Sequence, residues 1–213
     1  MKMLYGVFLI VCCTVASVAT CGAVESGPHK AAVPKAAVPK AAVPKAAAME
    51  KIDYADAAKK LQLLADKGNV SAKVELGYLY YEGKGVKKDY ARAAQLFREA
   101  ADKGNANAQS DLGKLYQTGT GVQKDPAEAA KWFRLAADQG QTDAQTSLGM
   151  AYTLGEGVAQ DKVEGLKWIL IAAGQQQKLA LLIKDQLIHG VTKEEAMEAD
   201  RRAKAWKPAT PVK

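Results

Sequence analysis

The stretch Asp89–Lys124, DYARAAQLFREAADKGNANAQSDLGKLYQTGTGVQK, decides the fold because closely similar sequences occur on both sides of it. The copies begin at Asp53, Asp89, Asp125 and Asp161, a constant period of 36 residues. Self-similarity at a period of this length is the signature of a repeat solenoid. Three features recur in step, namely Leu-Gly pairs, tyrosines and Gly-x-Gly turns: Leu76-Gly77, Leu112-Gly113, Leu148-Gly149; Tyr80, Tyr116, Tyr152; Gly83/Gly85, Gly119/Gly121, Gly155/Gly157.

Each repeat is predicted to fold as two helices joined by a short turn. In the second repeat, apolar residues recur at intervals of three and four, which predicts an amphipathic helix from Tyr90 to Asp102. Gly104 then ends it, because glycine readily adopts the left-handed conformation of a helix C-terminus. The same spacing predicts a second helix from Asn107 to Gln117. Neither helix can bury its apolar face alone, so stacking of successive repeats is expected.

Capping signals mark the starts of the first helices. Asp125 is followed by Pro126 and then by Glu128, which predicts an N-cap with a reciprocal capping box. The same pairing is predicted for Asp161 with Glu164. Thr192 with Glu195 predicts a further capping box that opens a last helix, up to Trp206.

The recurring glycines call for a structural explanation. Glycine within a helix costs about 1 kcal/mol relative to alanine, so Gly113 predicts close approach of a neighbouring helix, with the paired alanines opposite. The Gly-x-Gly turns follow helices and precede valine (Val86 in the first repeat), so they are interpreted as C-caps and not as phosphate-binding loops.

These motifs resemble the Sel-one-like repeat (SLR), a relative of the tetratricopeptide repeat. The resemblance rests on the Ala-Ala pairs, the AA-D-x-G turn, the A-x-x-x-LG-x-x-Y run and the G-x-GV turn before the next Asp. It implies an all-α, right-handed α-solenoid with a concave face, and an adaptor role in protein complexes that are often exported or envelope-associated. The cysteine-rich branch is excluded because residues 22–213 contain no Cys. The predicted units are repeats 53–88, 89–124 and 125–160, a diverged repeat 161–191, a cap helix 192–206 with Trp206 packing back onto the fourth repeat, and a tail 207–213.

The N-terminus is interpreted as an export signal, residues 1–19. Lys2 precedes an uncharged run with an apolar centre, and Ser17-x-Ala19 would suit cleavage before Thr20. Two alternatives stay open: Cys21 is a candidate lipidation site, and the run is long enough to span a bilayer if it is not cleaved. We therefore expect a periplasmic or secreted protein that is either free or anchored at its N-terminus.

Residues 20–49 are predicted to form an extended linker. The sequence KAAVP occurs three times between Lys30 and Pro44, and a proline at every fifth residue excludes a continuous helix. The linker is interpreted either as a solubilising spacer or as a basic attachment to an acidic surface such as a membrane or cell wall. Residues 1–49, with five lysines and one glutamate, contribute +4 to the formal charge of +7, and residues 50–213 carry 25 basic and 22 acidic residues. No nucleic-acid partner is expected.

Catalytic and metal-binding patterns are missing from the sequence. The two histidines, His29 and His189, stand apart from one another and from any cysteine. No enzyme activity, metal or cofactor is therefore expected. The aromatic column that contains Trp132 and Trp168, with the tyrosines Tyr80, Tyr116 and Tyr152, is interpreted as core.

Polar columns along the first helices are the candidate partner-binding surface. One column holds Lys59, Gln95, Lys131 and Lys167, and a second holds Gln62, Arg98 and Arg134. They are either a solvated face balanced by Asp56, Asp102, Glu128 and Asp138, or a basic ladder that binds an extended or acidic segment of another protein. The functional expectation is a scaffold of the cell envelope; the alternative is a cell-wall or membrane-surface module attached through the basic linker.

Overall fold

The computed structural model describes residues 53–209, which fold entirely as α-helices and connecting turns. The signal, lipidation and linker predictions lie outside these residues. Within the described range there are nine helices and no strand: α1 (Tyr54–Asp66), α2 (Val70–Glu82), α3 (Tyr90–Ala101), α4 (Ala106–Thr118), α5 (Pro126–Asp138), α6 (Thr142–Leu154), α7 (Lys162–Gly174), α8 (Lys178–His189) and α9 (Lys193–Ala205).

Four successive helix pairs make up the repeats, and they stack in chain order. The second helix of each of the first three pairs packs against the first helix of its own repeat and against the first helix of the next. The observed helices of the second repeat, α3 and α4, agree with the predicted ones to within one residue at each end. The predicted all-α solenoid is confirmed.

Side-chain caps fix where each helix begins. The Asp89 carboxylate accepts a hydrogen bond from the Arg92 amide at 2.9 Å, and the aspartates at the start of the other repeats cap in the same way. The second helices have amide caps that the sequence analysis did not identify. These are Asn69, Asn105, Gln141 and Gln177.

One of the three predicted capping boxes forms. The amide of Glu195 donates to the Thr192 hydroxyl at 3.2 Å, and the Thr192 amide donates to the Glu195 carboxylate at 2.7 Å. The boxes predicted at Glu128 and Glu164 are wrong, although their N-caps are present. Glu128 accepts instead from Lys131, and Glu164 accepts from lysine and tryptophan side chains one turn further on. The backbone amides of Asp125 and Asp161, which would donate to these carboxylates in a box, donate instead to the carbonyl oxygens of Tyr116 and Tyr152, each at 2.9 Å.

The two glycines of each Gly-x-Gly turn have different roles. Gly119 ends α4 in the left-handed conformation, with φ of 78°, as predicted for a C-cap. Gly121 lies against the start of α3 in the same repeat, where a methyl group would come within 2.3 Å of the Tyr90 carbonyl oxygen. The turn therefore closes each repeat back onto its own first helix.

The mid-helix glycines admit a large side chain from the next repeat. A methyl group on Gly113 would lie 2.6 Å from Cε1 of Phe133, which is fully buried. Phe97 and Ile169 occupy the same place against Gly77 and Gly149. The predicted close approach is confirmed, and the nearest side chain is this aromatic or isoleucine residue. The ring is larger than a methyl group, and the missing Cβ of the glycine leaves the space that it occupies.

Buried glutamines connect the later repeats. The Gln145 amide donates to the Ala137 carbonyl at 3.2 Å and accepts from Gln175 at 2.9 Å. Gln109 makes the equivalent bonds one repeat earlier, to Ala101 and from Gln139. Each glutamine thus joins both helices of its own repeat to the following one, so burial leaves its polar atoms satisfied.

The last helix, α9, packs against α7, with at most marginal contact to α8. Its Ala199 is buried, and the Trp206 ring that follows it meets Trp168 edge-to-face at 5.9 Å between centroids. The predicted return of Trp206 onto the fourth repeat is confirmed. The cap helix therefore covers the first helix of that repeat and leaves the outward face of α8 open.

We expect Gly113→Ala to destabilise the protein by about 1–3 kcal/mol, although alanine is the better helix former, because the new methyl group overpacks against Phe133. Gly174→Ala is the matched control, since a methyl group at this last residue of α7 meets nothing within 4 Å. Urea unfolding monitored by circular dichroism measures both. Equal stability of the two variants would contradict the insertion of Phe133 as the reason for the glycine.

Candidate functional site

Two equivalent grooves are the main concave features that involve the polar columns. Groove 1, in the first repeat, has a volume of about 470 Å³, and groove 3, in the third repeat, about 530 Å³. Their lining residues correspond one to one, each pair separated by two repeat periods. Groove 1 is lined by Ala55, Ala58, Lys59, Gln62, Leu63, Leu76, Tyr80, Gly85 and Val86. Groove 3 is lined by Ala127, Ala130, Lys131, Arg134, Leu135, Leu148, Tyr152, Gly157 and Val158.

Each groove combines an apolar floor with a polar edge. In groove 3 the floor is formed by Leu148 and by the ring of Tyr152, while Lys131 and the exposed Leu135 lie on α5. The Gly-x-Gly-Val turn closes one end, because its second glycine approaches the start of the first helix. The arrangement can receive an apolar side chain and place a cation beside it.

The arginines of the second column are held in place by aromatic rings. The Arg134 guanidinium lies 5.3 Å from the ring centroid of Tyr152 and 5.6 Å from that of Trp168, and it donates to the Tyr152 hydroxyl. Arg98 lies over Tyr116 in the same way, at 5.4 Å. These cation–π contacts order the guanidinium groups before any partner binds.

The lysine column is not uniform. The Lys131 side chain is 72% exposed and pairs only with Glu128, one turn away. The Lys167 side chain is 14% exposed, because it pairs with Glu164 and lies over the Trp168 ring near α9. Lys59 is exposed on α1. The structure therefore brings Lys59 and Lys131 to equivalent grooves and engages Lys167 internally.

The middle repeat differs from its neighbours at the same positions. Gln95 stands where the grooves have lysine, and it accepts a hydrogen bond from Arg92 at 3.2 Å. Glu99 stands where the grooves have leucine, and it forms an ion pair with Lys73 of the preceding repeat. The first and third repeats thus carry a groove with an exposed lysine and leucine, and the second repeat has glutamine and glutamate at those two positions.

Acidic residues do not neutralise groove 3 completely. Glu128 pairs with Lys131, but Asp138 lies at the far end of α5, and its partial burial raises the pKa of its carboxyl above the ordinary value despite the nearby Arg134. Glu128 is thus the acidic residue that pairs directly with a lysine of groove 3.

A row of exposed tyrosines on the first two repeats was missed by the sequence analysis. Tyr78 meets the Phe97 ring at 5.1 Å, and Tyr81 meets Tyr90 at 5.1 Å, both edge-to-face. Partial burial raises the pKa of the Tyr78 hydroxyl, and its hydrogen bond to Asp111 adds to this effect. The available signal was that Tyr78 varies between copies, with lysine and methionine at the equivalent positions of the next two repeats.

Two further properties concern only residues 53–209. Helices long and apolar enough to cross a bilayer are not found there. The same residues contain no group of three or more histidine, cysteine or acidic side chains arranged to hold a metal ion.

Stacked helix pairs with grooves on their first helices define the chain as an α-solenoid of the helical-repeat class. The Sel1 repeat model matches three consecutive units, residues 70–105, 106–141 and 142–176, which together make up half of the chain. The chain belongs to the Sel1 repeat family. The matched units begin at the second helix of each pair, so they group each second helix with the first helix that packs against it.

Two solved structures share the fold. One is c5321, described as a protective antigen present in uropathogenic Escherichia coli strains and displaying an SLR fold, with 31% identity and a TM-score of 0.66 over 70% of this chain. The other is a Sel1 repeat protein from Oxalobacter formigenes, with 26% identity and a TM-score of 0.62 over 72% of this chain. The alignments cover 32% and 65% of those proteins' own lengths. A comparison with curated proteins gives no match. Sel1 repeat proteins generally serve as protein-interaction scaffolds.

Truncation of the two polar columns should have unequal effects on stability. We expect Arg134→Ala to destabilise the fold by about 1–2 kcal/mol, because its guanidinium packs on Tyr152 and Trp168. Lys131→Ala is the matched control, one turn away on the same helix, and should change stability by less than about 0.5 kcal/mol. Chemical denaturation compares the two. A cost for Lys131→Ala equal to that for Arg134→Ala would refute the structural role of the stacked arginine.

Proposed function

We propose that this protein is a non-enzymatic scaffold that binds an extended, acidic segment of another protein through grooves 1 and 3. The observation that carries the proposal is the exact correspondence of the two grooves, whose nine lining positions all recur two repeats apart. A solenoid presents equivalent positions at regular intervals along one direction. Two equivalent pockets on such a scaffold suit a partner that is itself extended.

The charge of the grooves supports an acidic partner. Lys59 and Lys131 provide exposed ammonium groups at equivalent edges, and Arg134 adds a guanidinium to groove 3. Cations at a rim steer an oppositely charged segment towards the surface and set its orientation more than they add affinity. The apolar floors then supply anchoring through burial of leucine-sized side chains.

Linked binding at two sites favours a single partner chain over two separate ones. Once one groove is occupied, the rest of the segment is held at high effective concentration near the second. The rigidly stacked Arg134 and Tyr152 lower the cost of ordering on binding, because their geometry is already fixed.

A binding role without catalysis is supported by the family, which is generally non-catalytic. Outside residues 1–49 the charge is nearly balanced, with 25 basic and 22 acidic residues. Protein partners are therefore favoured over nucleic acid, whose recognition relies on dense phosphate contacts.

A peptide selection tests the grooves directly. The chain, a Lys59→Glu/Lys131→Glu variant and a Lys103→Glu/Lys124→Glu control are each used to select from a displayed library of random peptides. We expect the parent and the control to enrich acidic sequences with spaced apolar residues, and the groove variant to lose them. The control changes the net charge by the same amount, and its two lysines are exposed and lie between helices, outside the groove linings.

Failure of the parent to enrich any sequence would count against the scaffold proposal. If the groove variant enriches the same peptides as the parent, the protein binds peptides at another site, and grooves 1 and 3 are excluded as the binding site. For enriched peptides, the dissociation constant should rise by at least about tenfold in the groove variant, which corresponds to roughly 1.4 kcal/mol.

We also propose that the protein works outside the cytoplasm, supported by the signal-like residues 1–19 and the adjoining Cys21. Intact mass of the chain purified from its producing cell tests this. We expect a mass that starts at Thr20 or, if lipidated, at a diacylated Cys21. Recovery of the intact N-terminus only from the soluble cytoplasmic fraction would contradict export.

A further inference from the structure

The outward face of α8 carries leucines that the described residues leave exposed. Leu181 and Leu182 lie on this face, and Leu182 is 73% exposed. Because α9 turns back onto α7, this face ends the helix stack. An exposed group of large apolar residues on a soluble domain indicates an interaction surface.

The position of Leu182 is covered in the earlier repeats. Its equivalents are Val74, Ser110 and Thr146, and all three are buried. Val74 belongs to the first repeat and is only 8% exposed, packed in a core with residues of α3 and α4. The cover at this position therefore comes from the repeat that follows. Within residues 53–209 no repeat follows to cover Leu182, yet it is more apolar than the serine and threonine at the equivalent positions.

A further repeat could not dock on α8 in the usual way. Asp185 occupies the position of Gly77, Gly113 and Gly149, which receive the inserted side chain of the next repeat. In head-to-tail stacking, α1 of a second copy would bring Leu61, the equivalent of Phe97, against this carboxylate. Burial of an unpaired carboxylate under an apolar side chain is strongly unfavourable. Open-ended stacking is thus opposed by the sequence.

The same face is complementary to itself in the antiparallel direction. Helical spacing places Lys178, Leu181, Leu182 and Asp185 on one side of α8. A twofold axis between the two central leucines sets Leu181 against the second copy's Leu182. It also sets Lys178 against the second copy's Asp185, and the symmetry repeats both contacts. The Asp185 side chain is 75% exposed, and its contact with Lys184 is long, at 3.6 Å, so it can accept such a partner.

We propose that two copies of the chain associate through an antiparallel α8–α8 contact that joins the C-terminal ends of two solenoids. The contact is isologous and closes with two copies, as twofold interfaces do. A single helix face buries little area, so the dimer forms in a concentration-dependent equilibrium. It would present four grooves, two on each copy, to bound segments.

Analytical ultracentrifugation over a range of concentrations tests the proposal, with the chain as recovered from the producing cell. We expect a monomer–dimer equilibrium that Leu182→Glu weakens by at least about tenfold, because an apolar contact becomes two opposed charges at the axis. Met197→Glu is the matched control, since Met197 is 64% exposed on α9 and lies off the proposed interface. Unchanged circular dichroism shows that either variant still folds.

A charge exchange tests the antiparallel register. Lys178→Glu and Asp185→Lys should each weaken the dimer, and the double variant should restore it, because the pair is re-formed with reversed sign. A strictly monomeric parent, growth beyond a dimer, a dimer that survives Leu182→Glu, or a double variant no better than the singles would each overturn the proposal.

Discussion

The stack depends on one steric contact: a large apolar side chain at the middle of each first helix enters the gap left by a glycine on the preceding second helix. Phe97, Phe133 and Ile169 make this contact at three successive junctions. Close packing of this kind fixes both the distance and the register of two helices, because a displaced ring would meet backbone or a Cβ atom. Each groove lies within one repeat, between its first and second helices, and the junctions set how successive repeats are spaced along the stack.

The residues that repeat and the residues that vary have separate physical tasks. The aspartate caps, Gly-x-Gly turns and junction glycines define one repeat and its connection to the next. Side chains that change between copies give each repeat its own surface. An example is Gln95, which stands at the position of Lys59 and Lys131 in the neighbouring repeats. The proposed binding surface therefore combines variable positions with the regular spacing that the constant ones impose. Asp185 is one such residue, since it stands at the position of the junction glycines.

The sequence alone was sufficient to predict the paired helices, the boundaries of α3, α4 and α9 to within one residue, and the existence of close approach at Gly113. Those features depend on local spacing, on caps within four residues, and on the cost of glycine in a helix. The sequence was less informative about which side chains contact one another. Glu128 and Glu164 were predicted to complete capping boxes and instead meet cations one turn away, and the insertion of the Phe133 ring was not predicted. In each case two local arrangements were compatible with the same residues.

The sequence by itself determined the class of fold, the period of the repeat and the seven polar positions that could face a partner. Only the tertiary structure decided how those positions differ: Lys59 and Lys131 enter equivalent grooves, Arg134 is stacked on two rings, and Lys167 is covered beside α9. It also decided that α9 lies on α7 and leaves α8 open. The reason is that periodicity specifies which side of a helix faces inward, whereas exposure depends on every neighbour that packs against it, including residues distant in the chain.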